Sequence, residues 1–167
     1  QQNGFVDPSG KLGCNLMDHI SICRFFALPK NKTSSSDRSI AEIQVLSGAG
    51  SFFIPFGSNL KLVDKEGPKF IRGYGLWGAI DRFDPPKCLK RFPESSIGFL
   101  IGHGEVLPIE ENRVTLSLKR NQWGIAVPHI DCSWGSNEQE MVLHMQKAIH
   151  KAVDSAGGTV MPLHDLV

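Results

Sequence analysis

Residues 97–135 read IGFLIGHGEVLPIEENRVTLSLKRNQWGIAVPHIDCSWG, and the fold depends on how many strands this stretch holds and how they pair. Val114, Leu116 and Leu118 alternate with Thr115 and Ser117, the two-residue period of a strand with one buried face. Turn signals at Glu111-Asn112 and at Asn121-Gln122-Trp123-Gly124 divide the stretch into strands over 97–107, 113–118 and 125–134. Short polar connections suit antiparallel neighbours, because a parallel return needs about a dozen residues or more. The expectation is a three-stranded antiparallel meander. Ser136-Asn137-Glu138-Gln139 then has the form of a capping box, with the serine oxygen taking the Gln139 amide proton. Met141, Met145, Ala148, Ile149, Ala152 and Val153 recur at helical spacing, so a helix to about residue 156 should lay one apolar stripe on the sheet. Gly157-Gly158 supplies a left-handed stop, and 158–160 can begin a last strand.

Upstream, residues 1–18 are rich in Gly, Asn, Pro and Ser and read as an exposed loop or as the torn-off end of something larger. Residues 20–28 are apolar enough for a buried strand that stops at Pro29, and 30–38 (KNKTSSSDR) form a polar loop. Residues 40–46 fit a strand or a short helix. SFFIPF at 51–56 is an aromatic strand that Pro55 assigns to a sheet edge or a bulge, and 59–67 is a connection. FIRGYGLWG at 70–78 is a glycine-punctuated strand; Gly73 and Gly75 bare one of its faces to a backbone, a helix or a flat ligand. Asp84-Pro85-Pro86 ends it, 87–96 is a surface connection, and 161–167 is a frayed tail. The pattern gives an α+β class: an antiparallel sheet of about six strands with a helix packed on one face.

At 167 residues the chain suits one ordinary domain. Its 18 Lys and Arg against 17 Asp and Glu leave a net charge of +1, which disfavours nucleic acid or an anionic membrane as partner. No stretch is long and apolar enough for a transmembrane helix. Cys14, Cys23, Cys88 and Cys132 have no zinc-site spacing and are expected as reduced thiols in or near the core. Neither Gly48-Ala49-Gly50 nor Gly102-His103-Gly104 continues into a dinucleotide fingerprint, and no P-loop, G-x-S-x-G or H-E-x-x-H motif occurs.

GHGEVLPIEENRVTLSLKRNQWGIAVPHIDCSWGSNE resembles the region of the glucose-methanol-choline (GMC) flavin oxidoreductases that runs as a G-x-G-E-x-x-P strand, an N-x-V-T-L strand, a W-G-I-x-x-P turn and an N-E helix start. Gly13-Cys14-Asn15-Leu16-Met17-Asp18-His19 is similar to that family's G-x-N-L-x-D-H signature, and Phe70 to Gly75 to its F-x-R-G-Y-G segment. The resemblance implies a substrate-binding domain: 1–19 as the boundary with an absent flavin domain, 20–160 as the domain, and 161–167 leading to an absent catalytic segment. It implies oxidation of an alcohol, a sugar or sterol among the candidates, by hydride transfer to FAD held mainly by the absent N-terminal domain. The chain begins with Gln rather than Met and is expected to be an excised domain, inactive alone. The resemblance puts none of its six histidines in the family's catalytic position, so no catalytic residue is expected in this stretch. Its expected partners are the flavin domain and a small alcohol, and an exposed interdomain face should make the isolated domain self-associate. The competing readings are a stand-alone, non-enzymatic module that binds a ligand or a protein, and a purely structural domain.

Glu105, His103 and Tyr74 are the candidates for the substrate pocket, and Asn15, Asp18 and His19 for positions near the cofactor. Glu105 lies in an apolar stretch where a charge calls for a partner or a raised pKa, and a plain outward-facing glutamate is the other reading. His103 is expected to face away from it. His129 and Asp131 share a strand face, whereas His144 and His150 point in opposed directions on the helix and cannot share a metal. Trp123 and Trp134 are expected to close strand ends and sheet core.

Overall fold

The computed structural model describes residues 7–29, 50–55, 67–87, 89 and 95–162. The readings made for 30–38, 40–46 and 59–66 lie outside these residues. The elements are β1 (His19–Pro29), β2 (Gly50–Pro55), β3 (Tyr74–Ile80), β4 (Ser95–Glu105), β5 (Arg113–Arg120), β6 (Ala126–Asp131), α1 (Ser136–Ser155) and β7 (Thr159–Val160). Among the described residues five strands form one antiparallel sheet in the order β2-β3-β4-β1-β7, and β5 pairs only with β6 in a separate hairpin. With α1 on one face, the described chain is of the α+β class. Pro55 falls on the edge strand β2, where its missing N–H costs no ladder bond.

The three-stranded meander does not form. β4 is the central strand, paired with β1 from Glu105 to Ser95 on one side and with β3 on the other, so both of its edges are taken before β5 begins. Its run of apolar residues and glycines suits a central strand whose helix face is covered along its length. The root of the β5–β6 hairpin is held instead by the N-terminal loop. Val114 N–H donates to Gly13 O at 2.7 Å and Leu16 N–H to Asn112 O at 2.8 Å. A side chain at Gly13, which has φ +82°, would collide with the Val114 carbonyl oxygen.

α1 packs closely because β4 has no side chains where the helix methionines enter. Gly98, Leu100, Gly102 and Gly104 alternate on one face of β4. A Cβ at Gly102 would lie 2.9 Å from Met145 Sδ, one at Gly104 would collide with Met141 Sδ, and one at Gly98 with the Phe26 ring. Met141, Met145 and Ile149 are fully buried there with Ile20, Phe26, Leu76 and Leu100. Each contributes on the order of 1.5–3 kcal/mol through lost apolar surface. The close approach expected at Gly73 and Gly75 is different: the space above Gly75 is filled by the Phe53 ring of β2.

The capping box lies one residue earlier than expected. Ser136 is the first helical residue, and Gly135, the N-cap, has no side chain to contribute. Buried Glu138 supplies the reciprocal half, accepting the N–H groups of Gly135 and Leu107, each at 2.9 Å. A carboxylate meets two amides at the positive end of a helix better than Gln139 can. Burial pushes the Glu138 carboxyl up, but the bonds from Leu107, Asn137 and Gly135 together outweigh it and hold the pKa below its ordinary 4.5. Asn137 Oδ1 accepts the Ile71 N–H at 2.9 Å, tying the approach to β3 to the same helix start. At the other end Gly157 has φ +73° and Gly158 N–H closes on Val153 O at 2.9 Å, the expected stop.

Trp123 and Trp134 do not close the core: they are 73% and 49% exposed. The hairpin pairs apart from the main sheet, so Trp123 in its turn has no sheet end to cover. Met161, read as tail, is buried and donates its N–H to Phe25 O at 2.8 Å, because β7 carries the chain along β1. Cys132 is exposed, contrary to the core placement expected of it, while Cys14 and Cys23 are partly buried.

Gly104→Val should destabilise the protein by about 1–3 kcal/mol, read as a lower urea midpoint, because Met141 has nowhere to retreat. Glu138→Gln should cost about 1–3 kcal/mol at neutral pH. Since the native carboxyl titrates below 4.5, its stabilisation is complete above that value and lost as pH falls through the lower native one. Urea titrations from neutral pH down to about pH 3 should therefore show a shallower acid-side decline for the variant than for the native protein.

Candidate functional site

Because α1 covers the face that carries Ile20, Tyr74 and Gly104, the alternate residues of the same strands face the other way. The register sets His19 opposite Glu105 and Ser21 opposite His103, with Gly75 on the far side of His103 and Trp77 between Ile101 and Phe53. One end of this face is closed. Leu89, Ile97 and Met161 pack there with Phe25, Ala27 and Phe83, and the Phe83 and Phe99 rings meet edge to face at 5.0 Å. The other end, bearing His19, Ser21, His103, Glu105, Trp77 and Phe53, forms the candidate site.

Its geometry is organised around His103. Ser21 Oγ lies 2.6 Å from His103 Nδ1, fixing the ring across the β1–β4 pair. The Trp77 ring runs parallel to it, 5° between planes and 6.2 Å between centroids, and the His19 ring stands perpendicular at 6.3 Å. With Nδ1 committed to Ser21, Nε2 is the atom through which the ring can exchange hydrogen bonds with a molecule laid on the sheet. At the strand ends, Arg72 Nε stands 3.8 Å from Glu105 Oε2, and both side chains are more than half exposed. Such a pair contributes about 0–1 kcal/mol, so both groups can turn to a ligand at little cost. Arg72 holds φ +68°, a left-handed conformation uncommon outside glycine and found where structure or function demands it. Asp18 accepts the His19 N–H at 2.6 Å, ordering the entry to β1.

His103 and Glu105 share this face, against the expectation that they oppose each other; two positions apart in an unbroken strand, they must. Tyr74 does not join them. It is buried on the helix face, its Oη 2.7 Å from His144 Nδ1 and its ring beside Phe70, and burial pushes its phenol far above the ordinary range. His19 reaches the site as the first residue of β1. Asn15, in left-handed conformation at φ 57°, lies in the loop docked on the hairpin root. His129 and Asp131 share a face of β6, opposite Thr115 and Arg113, away from the main sheet. On α1, His144 is buried and His150 exposed. Ser21, Phe53, Arg72 and Trp77 are site residues that sequence reasoning missed. They become visible only with the strand register, although Phe70-Ile71-Arg72-Gly73-Tyr74-Gly75 already placed Arg72 among the quoted motifs.

Among the described residues no group of three His, Cys, Asp or Glu side chains could hold a metal ion, and no helix is long and apolar enough to cross a membrane. The β5–β6 hairpin forms a second open surface, with Leu116, Leu118, Trp123, Ile125 and Ile130 exposed. A scan against known protein families finds no matching family, and a search of curated proteins finds no match.

Ser21→Ala should change the tautomer populations of His103, read from its ring ¹⁵N shifts. The cost in stability should be only about 0.5–1.5 kcal/mol, since the bond lies on an open face.

Proposed function

We propose that this chain is the substrate-binding domain of a GMC-type, FAD-dependent oxidoreductase that oxidises an alcohol. The observation that carries the reading is the open sheet end: an ordered histidine, a carboxylate, a guanidinium and two exposed aromatic rings gathered on one face of a sheet whose other face is sealed by α1. The motifs quoted for the resemblance add support, because residues far apart in the chain meet in one framework. Gly13 lies against Val114, Asn137 binds Ile71, and Glu138 binds Leu107.

FAD is held mainly outside the described residues in this reading; at the start of α1 the Glu138 carboxylate takes the N–H of the N-cap Gly135, and its negative charge disfavours a phosphate there. In this reading the flavin belongs to another domain of the same protein, where it accepts the hydride. The present residues hold the substrate: Glu105 and His103 exchange hydrogen bonds with its hydroxyl groups, and Trp77 and Phe53 exclude water from its carbon face.

An antibody against this domain should recover a protein several times its mass with a visible flavin band, and Glu105→Gln in that protein should lower kcat/KM for its alcohol about tenfold to a hundredfold. A recovered protein no larger than this chain, and colourless after incubation with FAD, would overturn the proposal.

A further inference from the structure

We infer that the β5–β6 hairpin docks on the surface of an anionic lipid bilayer. Its apolar tip sits among the headgroups and upper acyl chains, with Lys119 and Arg120 against the lipid phosphates. This surface has no task in the oxidoreductase reading, and the inference stands or falls apart from it.

The hairpin sorts its side chains by strand parity. Val114 stands opposite Ile130 and Leu116 opposite Pro128, so these four share one face, while Arg113, Thr115, His129 and Asp131 share the other. An apolar face of this kind is ordinarily covered by a core. Here Leu116 and Ile130 are 60% and 62% exposed, and Leu118, in the stretch of shifted register between Leu116 and Arg120, is wholly so.

The turn adds Trp123 and Ile125 to this surface and holds them outward. Asn121 Oδ1 accepts the N–H groups of Trp123 and Ile125, both at 3.0 Å. Gly124 takes φ +74° with its N–H on Asn121 O at 3.0 Å, and Arg120 Nη1 donates to Gly124 O at 2.7 Å. These bonds run through backbone and polar side chains, so the turn is ordered before any partner arrives and the two large apolar groups are presented ready to bind.

Charge selects the occupant. Residues 114–130 contain Lys119 and Arg120, both exposed, and no Asp or Glu. The net charge of +1, which disfavours an anionic surface when taken over the whole chain, is an average that hides this cationic tip. Aliphatic side chains, an indole and two cations on long stems are the set that settles at a bilayer interface. The aliphatic groups enter the acyl boundary, the indole sits at headgroup level, and the cations reach back to phosphate. Among the described residues β5 and β6 pair as strands only with each other, so the hairpin keeps edge N–H and C=O groups that need the hydrated headgroup layer. It therefore lies on the membrane and does not cross it.

A second copy of this chain fits less well. Face-to-face stacking of two hairpins gives the tip cations no carboxylate from residues 114–130 of either copy, and strand pairing along β6 is interrupted at Pro128, which has no N–H to donate.

The test is co-sedimentation of this chain with vesicles of phosphatidylcholine alone and with vesicles containing about 30% phosphatidylserine. The chain should bind the anionic vesicles at least about tenfold more tightly, lose most of that preference in about 0.5 M salt, and shift its tryptophan emission to the blue on binding. Leu118→Ser and Trp123→Ala should each weaken binding about fivefold or more, and Trp123→Ala should also remove the blue shift. Lys119→Glu should abolish the preference for anionic vesicles, whereas Leu143→Ser, at an exposed position of α1, should change nothing. No binding to either vesicle, equal binding to both, or binding that the three hairpin substitutions leave intact overturns the inference. So does a dimer, seen by light scattering without lipid, that Leu118→Ser separates into monomers.

Discussion

The contact between bare β4 glycines and the methionines of α1 governs the rest of this structure. Gly102 and Gly104 occupy alternate positions, so the face they share is the one on which Met141 and Met145 can sit. Side chains on that face would hold the helix away and leave Ile20, Leu76 and Leu100 short of cover. Once α1 is committed to the glycine face, strand parity turns His103 and Glu105 to the opposite side. The candidate site therefore follows from where the sheet lacks side chains as much as from where it has them.

Polar staples join this layer to the segments around it. Glu138 holds the exit from β4 and the entrance to α1 by two backbone amides, and Asn137 holds the approach to β3. Asn112, fully buried, closes the root of the hairpin by taking the Ser133 N–H and donating to the Ser133 carbonyl, both at 2.9 Å. The N-terminal loop is fastened to that same hairpin root through Gly13 and Leu16, with an exposed Lys11–Glu110 ion pair at 2.6 Å beside it. A buried amide or carboxylate that satisfies several backbone groups is costly to replace, because each substitution strands the partners as well. These residues are scaffold. The residues free to meet a ligand are the more exposed ones that the scaffold orients.

Local pattern carried much of this. The stripe on α1, the stop at Gly157, the edge position of Pro55 and the strand nature of 20–28 all depend on residues within a turn or two of one another. The capping box slipped by one residue because Ser136 and Gly135 compete for the N-cap by local pattern alone. The competition was settled by Leu107, thirty-one positions away, whose amide draws Glu138 inward. The site was half legible: His103 and Glu105 stood out as polar residues in an apolar strand, but the register puts Tyr74 on the helix face with Gly104, where its hydroxyl meets His144 on another element.

Strand periods, turns, the helix and its apolar face were set by the sequence through short-range backbone preference and the spacing of apolar side chains. Tertiary structure alone decided that β4 pairs with β1 and β3 rather than with β5, and thereby which side chains share the open face. Pairing over such separations is chosen by the total burial and hydrogen bonding of the assembled sheet, which no short window of sequence contains. Ser21, Trp77 and Arg72 gain their positions beside His103 and Glu105 from that choice, and from nothing in their own neighbourhoods along the chain.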